Sequence, residues 1–187
     1  PGLGRSAWAR DLLATVLRSA RAGQHLVLDA DALNLVAESG AAHRDDWILT
    51  PHPGEAARLL GITTEAVQAN RLAALEQLAR TRGGIVVLKG AGTLVGREGG
   101  IPRLCTAGNP GMAVPGMGDV LTGAIAALVG AAARGGDEAR GGDAFAATCA
   151  AVQAHAMAGD LCATQGLRGV LALDVAQALR AVLAPLP

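Results

Sequence analysis

The stretch that most restricts what this chain can become is Gly108-Asn109-Pro110-Gly111-Met112-Ala113-Val114-Pro115-Gly116-Met117-Gly118-Asp119, followed by Val-Leu-Thr-Gly-Ala-Ile-Ala-Ala-Leu-Val. Gly108, Gly111, Gly116 and Gly118 permit backbone bends that a Cβ would obstruct. The run after them reads as an apolar helix over 119–133. That reading puts Asp119 at a helix start, beside unpaired N–H groups and the positive end of the helix dipole. Such a place attracts anions. Asp119 as a plain N-cap, worth about 1 kcal/mol, would need no special approach. The long, small and uncharged approach is explained instead by bare backbone laid against a phosphate. Two common phosphate motifs fail here. Gly118 and Gly123 have Walker spacing, but Ala124 and Ile125 stand where Lys and Ser/Thr are required. Leu121 occupies the last glycine position of a dinucleotide fingerprint.

Around this loop, short apolar runs alternate with helical periodicity. Strands are expected at His25–Asp29, Trp47–Thr50, Ile85–Leu88, Leu94-Val95 and Ile101–Thr106. Helices are expected over 5–21, 32–39 (capped by Asp31, ended by Gly40), 53–60, 63–81, 119–133, 143–164 and 172–184. Pro53 suits a first helical position, Glu55 the first turn, and Gly61 the stop. Arg134–Gly142 reads as a polar surface loop. Strands apolar along their whole length suit a parallel sheet covered on both faces. The expected fold is therefore α/β: a three-layer sandwich, mainly parallel, with helices on both faces, in one domain spanning 1–187. Ligands of such sheets bind beyond the carboxyl ends of the strands. Asp29, His52, Lys89 and the 106–119 loop each follow an expected strand, so they are expected to converge on one edge. Asp29 and Asp31 could order a magnesium hydration shell, although Asp31 is read first as a helix cap. His155 and Asp160 read as helix polar residues bordering the site.

Charge balance narrows the function. Lys plus Arg number 16, and so do Asp plus Glu, which gives no reason to expect a nucleic-acid or membrane surface. One Phe and no Tyr argue against stacking on single-stranded bases. Cys105, Cys149 and Cys162 lack metal spacing and read as buried thiols of a reducing compartment, so a cytoplasmic location is expected. No basic-then-apolar leader is visible, and no uninterrupted apolar run reaches about 18 residues.

The wording of the loop adds a resemblance. Gly-Asn-Pro-Gly-Met-Ala (108–113) with Gly-Met-Gly-Asp-Val-Leu-Thr-Gly (116–123), and Thr-Pro-His-Pro-Gly-Glu (50–55), resemble the ADP-dependent NAD(P)H-hydrate dehydratases of the ribokinase-like superfamily. The resemblance implies a ribokinase-like domain lacking its N-terminal part, because the turn at Gly2 and Gly4 lies well inside the domain in that family. It implies a lyase that dehydrates S-NADHX and S-NADPHX to NADH and NADPH at the expense of ADP or ATP, with Mg2+ screening the phosphates. Asp119 is then catalytic. Gly2, Gly4, His52, Pro53, Gly54 and Glu55, with Asp119, bind the substrate. Lys89, Gly90, Ala91, Gly92 and Thr93 bind the nucleotide, together with Asn109, Pro110, Gly111, Gly116, Met117 and Gly118. No side chain is assigned as a direct metal ligand. A homo-oligomer is expected, fused to or working with an NAD(P)HX epimerase domain. One departure stands out: Val114-Pro115 replaces Thr/Ser-Gly, removing a hydroxyl and an N–H beside the phosphates. Two other readings share the motif, a small-molecule kinase of the same superfamily and a truncated nucleotide-binding domain without turnover.

Overall fold

The computed structural model describes residues 1–21, 23–40, 43–134, 143–164 and 166–184. The expected polar loop after Arg134 lies outside the described residues. The chain divides into two compact units: Pro1–Gly90 with Leu94–Arg103, and Ala91–Thr93 with Leu104–Pro187.

The first unit runs α1 (Ala7–Ser19), β1 (Leu26–Leu28), α2 (Asp31–Ser39), β2 (Trp47–Leu49), α3 (Pro53–Leu60), α4 (Thr64–Ala69), α5 (Arg71–Arg82), β3 (Ile85–Leu88) and β4 (Thr93–Arg97). β5 (Arg103–Cys105) closes the strand order β1-β2-β3-β4-β5. β1, β2 and β3 are parallel, with Leu28 opposite Leu49 and Leu49 opposite Val86. β4 returns antiparallel to β3, so the sheet is mixed. Every residue of β2 and β3 is buried, as strands covered on both faces must be. Trp47 and the leucines Leu33, Leu49, Leu75 and Leu78 fill the core at 0–1% exposure.

Local signals set most boundaries. α3 begins at Pro53 and stops at Gly61, whose φ of 68° only glycine adopts freely. Two expectations fail. The helix read over 63–81 is two helices, because Asn70 leaves helical geometry (φ −147°, ψ 81°) and its side chain caps α5 through the Ala73 N–H. Asp31 does not cap α2. The cap position is Ala30, at φ 49°, and the Asp31 carboxylate is used elsewhere.

In the second unit, a 3-10 turn (Pro110–Met112) precedes α6 (Met117–Arg134), α7 (Ala144–Ala163) and α8 (Ala172–Leu183). α6 starts two residues earlier than expected and buries Met117, Leu121, Ile125 and Val129, a stripe repeating every four residues. α6 is long and apolar enough to cross a membrane by length and composition, although Asp119 and Arg134 interrupt its apolar run. Its stripe is instead that of a core helix: Met117 packs with Ala158, Val170 and Val175 of the neighbouring segments.

Candidate functional site

In the first unit, the parallel register brings Asp29, after β1, and Lys89, after β3, to the same end of the sheet. Lys89 Nζ lies 2.6 Å from Asp29 Oδ1 and 3.8 Å from Glu55 Oε2. Both carboxylates are buried, at 2% and 5% exposure, so the ammonium is their counter-charge. Burial pushes the Asp29 carboxyl up, but the Lys89 charge and hydrogen bonds from Lys89, Thr50 and the Ala30 backbone outweigh it and hold the group below the ordinary carboxylate range. The ammonium therefore belongs to a carboxylate pair, which the sequence reading did not foresee.

Glu55 does three things at once. Its Oε2 accepts the His52 N–H at 2.8 Å, which closes a capping box at the start of α3. The same oxygen faces Lys89, and Oε1 lies 3.4 Å from His52 Nε2. His52 Nδ1 accepts the Gly54 N–H at 3.0 Å, which turns Nε2 toward Glu55. The ring itself is half exposed. At the chain's start, Gly2 and Gly4 hold φ of 70° and 75°, and the Gly4 N–H donates to Asp31 Oδ2 at 2.8 Å. Arg71 Nη2 donates to the Leu88 and Lys89 carbonyls at 3.1 and 3.4 Å, fixing the strand end before Gly90.

The second unit holds Ala91–Thr93 and the glycine loop, and its chemistry is that of backbone. Gly116 has φ 89°, and a Cβ there would come within 3.0 Å of the Ala172 Cβ. A Cβ on Gly111 would meet the Leu167 carbonyl at 2.5 Å. The Val120 N–H bonds the Gly116 carbonyl at 3.1 Å, so the amides of Met117, Gly118 and Asp119 come before the first helical donor. Asp119 sits in the first turn of α6 rather than before it, with its side chain exposed. Beside the loop, Cys162, Gly166, Arg168, Gly169, Val170 and Asp174 line an open cleft of about 430 Å³, a volume ordinary for small-molecule sites. The sequence gave no hint of that cleft, because its lining comes from the connection between α7 and α8.

The expected convergence thus holds for Asp29, His52 and Lys89, which share one unit with Glu55, whereas the glycine loop and Asp119 belong to the other. The profile of the NAD(P)H-hydrate dehydratase family matches residues 1–181. The chain belongs to that family. Among curated relatives, it is 47% identical to the bifunctional NAD(P)H-hydrate repair enzyme Nnr of Coxiella burnetii, covering 99% of this chain and 36% of the relative. It is 40% identical to the Escherichia coli K12 enzyme of the same name, covering 99% and 34%. The chain therefore spans about a third of the length of these relatives. Among solved structures, it resembles a ribokinase-like superfamily protein of Enterococcus faecalis (31% identity, TM-score 0.83, 98% of this chain and 61% of that one). It also resembles the ADP/ATP-dependent NAD(P)H-hydrate dehydratase of Bacillus subtilis co-crystallised with ATP/Mg2+ (27% identity, TM-score 0.78, 98% and 62%). The fold is ribokinase-like.

Two details qualify the match to the dehydratases. Val114, where a hydroxyl residue was expected, packs partly buried against the Met117, Ala158, Val170 and Val175 cluster. The polar contact is exchanged for an apolar anchor of the loop. For magnesium, the residues do not form a protein cage. Asp29 is committed to Lys89, Asp31 to the Gly4 amide, and among the described residues no group of three or more His, Cys, Asp or Glu could hold a metal. The carboxylate pair earlier read as ordering magnesium waters is thus already engaged.

Proposed function

We propose that this chain catalyses the dehydration of S-NADHX and S-NADPHX to the reduced dinucleotides, driven by ADP or ATP. The observation that carries the reading is the bare-backbone turn at Gly116–Gly118 with Asp119 in the first helical turn, in a chain of the dehydratase family. In this reading the amides of Met117, Gly118 and Asp119 hold the nucleotide's terminal phosphate, stabilising negative charge that grows during transfer. Asn109, Pro110 and Gly111 shape the approach, and Ala91–Thr93 add backbone contacts. The cleft at Cys162–Asp174 offers room for the remainder of the nucleotide. Magnesium, when present, arrives with the phosphates and screens them.

Asp119 takes the proton of the added hydroxyl as that oxygen attacks the terminal phosphorus and the bond to the nucleotide breaks. Phosphate then leaves with the C–O electron pair, a proton is lost from the adjacent carbon, and the ring double bond returns. Gly2, Gly4 and the His52–Glu55 string bind the hydrated nicotinamide, with His52 held by Glu55. The paired Lys89 organises this end, and its contribution toward the nucleotide runs through the Lys89–Gly90 backbone. The wider reading includes a cytoplasmic homo-oligomer acting beside an epimerase that supplies the S form.

The test is absorbance at the reduced-nicotinamide band with S-NADHX, magnesium and either ADP or ATP. A nucleotide-dependent rise that Asp119→Ala abolishes is the expected result. No rise with either nucleotide overturns the proposal, and a phosphorylated product that persists favours a kinase instead.

A further inference from the structure

α7 carries three residues against the glycine loop. Asp160 Oδ2 accepts the Gly108 N–H at 2.9 Å, and its Oδ1 accepts from Asn109 Nδ2 at 2.9 Å. Asn109 passes the contact on: its Oδ1 accepts the Gly111 N–H at 3.0 Å. One position earlier, Gly159 lies under Met112, where a Cβ would fall 2.2 Å from the Met112 sulfur. Further back, His155 is buried on the same helix, and the backbone of Met117, the first residue of α6, works against the lowering of its pKa by burial. The same helix thus touches the loop at its entry, middle and exit.

We propose that Asp160 is the positioning residue of this loop, acting through Asn109 to fix the approach to the amides that receive the nucleotide. The proposal rests on the reading that the loop binds ADP or ATP. A carboxylate near a phosphate site would ordinarily repel the ligand. Here each oxygen already accepts a donor, so the charge is spent on the loop's own N–H groups. Gly108 has φ 101°, a conformation that needs holding, and the Asp160 bond holds its amide. Asparagine in place of Asp160 can accept from only one of the two donors, and its amide would face a second donor.

The experiment uses the whole chain. Asp160→Asn is expected to weaken magnesium-ADP binding, measured by calorimetry, about tenfold or more. At saturating ADP its kcat stays within about threefold of the parent, because Asp160 touches no reacting atom. Hydrogen exchange at the Gly108 and Gly111 amides, measured without nucleotide, speeds up. The reciprocal exchange D160N/N109D rebuilds the donor–acceptor pattern and should regain both protection and most of the affinity. D160N that binds ADP like the parent, or a reciprocal variant as weak as D160N, overturns the proposal. A parent protein that binds no ADP overturns the functional reading itself, so the two failures are told apart.

Discussion

The His52–Lys89 end of the first unit and the glycine loop of the second are built from opposite materials. The first is built of polar side chains: two buried carboxylates, one ammonium and an imidazole, linked in a chain by separations of 2.6 to 3.8 Å. The second is peptide groups, kept free of side chains by glycines whose Cβ atoms would collide with Leu167 or Ala172. A charge network tolerates changes of shape and fails when a charge is removed. A backbone cradle tolerates changes of charge nearby and fails when a single carbon is added.

The sharpest way to break this contrast is Asp119, an exposed carboxylate on the backbone side. Asp119→Ala should lower kcat by about 10²- to 10⁴-fold. Its exposed position predicts a stability within about 0.5 kcal/mol of the parent in urea titrations. In the charge network, Lys89→Met strands two buried carboxylates and should cost about 3 kcal/mol in the same titration. Adding Asp29→Asn should recover part of that loss; no recovery would show that the pair is not coupled. In the loop, Gly116→Ala must hold φ 89° with a side chain and should cost about 1 kcal/mol, with ADP affinity falling more than stability does.

The smallest effect concerns pH, and it separates the two regions. The folded Asp29 pKa lies below 3.8, so its pair stabilises fully above that value and the increment fades as pH falls through the lowered folded pKa. His155 acts in the same direction at higher pH. Burial pushes its pKa below 6.5, only partly offset by the Met117 backbone, so the unfolded chain binds the extra proton first and stability falls as pH drops below 6.5. Urea midpoints should therefore lose their near-neutral slope in His155→Gln and their acid slope in Asp29→Asn. Interchanged slopes would refute both assignments.

Features written in consecutive residues were legible. Pro53, Glu55 and Gly61 announce α3, Ile85–Leu88 is a strand as read, and the alternation of elements gave the α/β class. The strand-end rule brought Asp29, His52 and Lys89 to one edge; what escaped were the individual pairings across long separations. Nothing near Lys89 reveals a carboxylate 60 positions earlier, and nothing near Gly108 reveals Asp160, 52 positions later. The break at Asn70 was hidden for another reason. Helical residues flank it on both sides, and an Asn within such a run reads equally as surface or cap until packing chooses. Val114 was weighed by its missing hydroxyl, and the apolar cluster that it joins is set by residues distant in sequence.

Ala30 has a consequence of its own. It is the one non-glycine among the described residues at positive φ, and it stands between two acids sent in different directions, Asp29 to the ammonium and Asp31 to the Gly4 amide. The peptide is wound like a spring fastened at both ends, and the methyl group keeps the winding from slackening. Glycine at this point would rest there with less effort, yielding a hardier protein whose Gly4 amide exchanges faster.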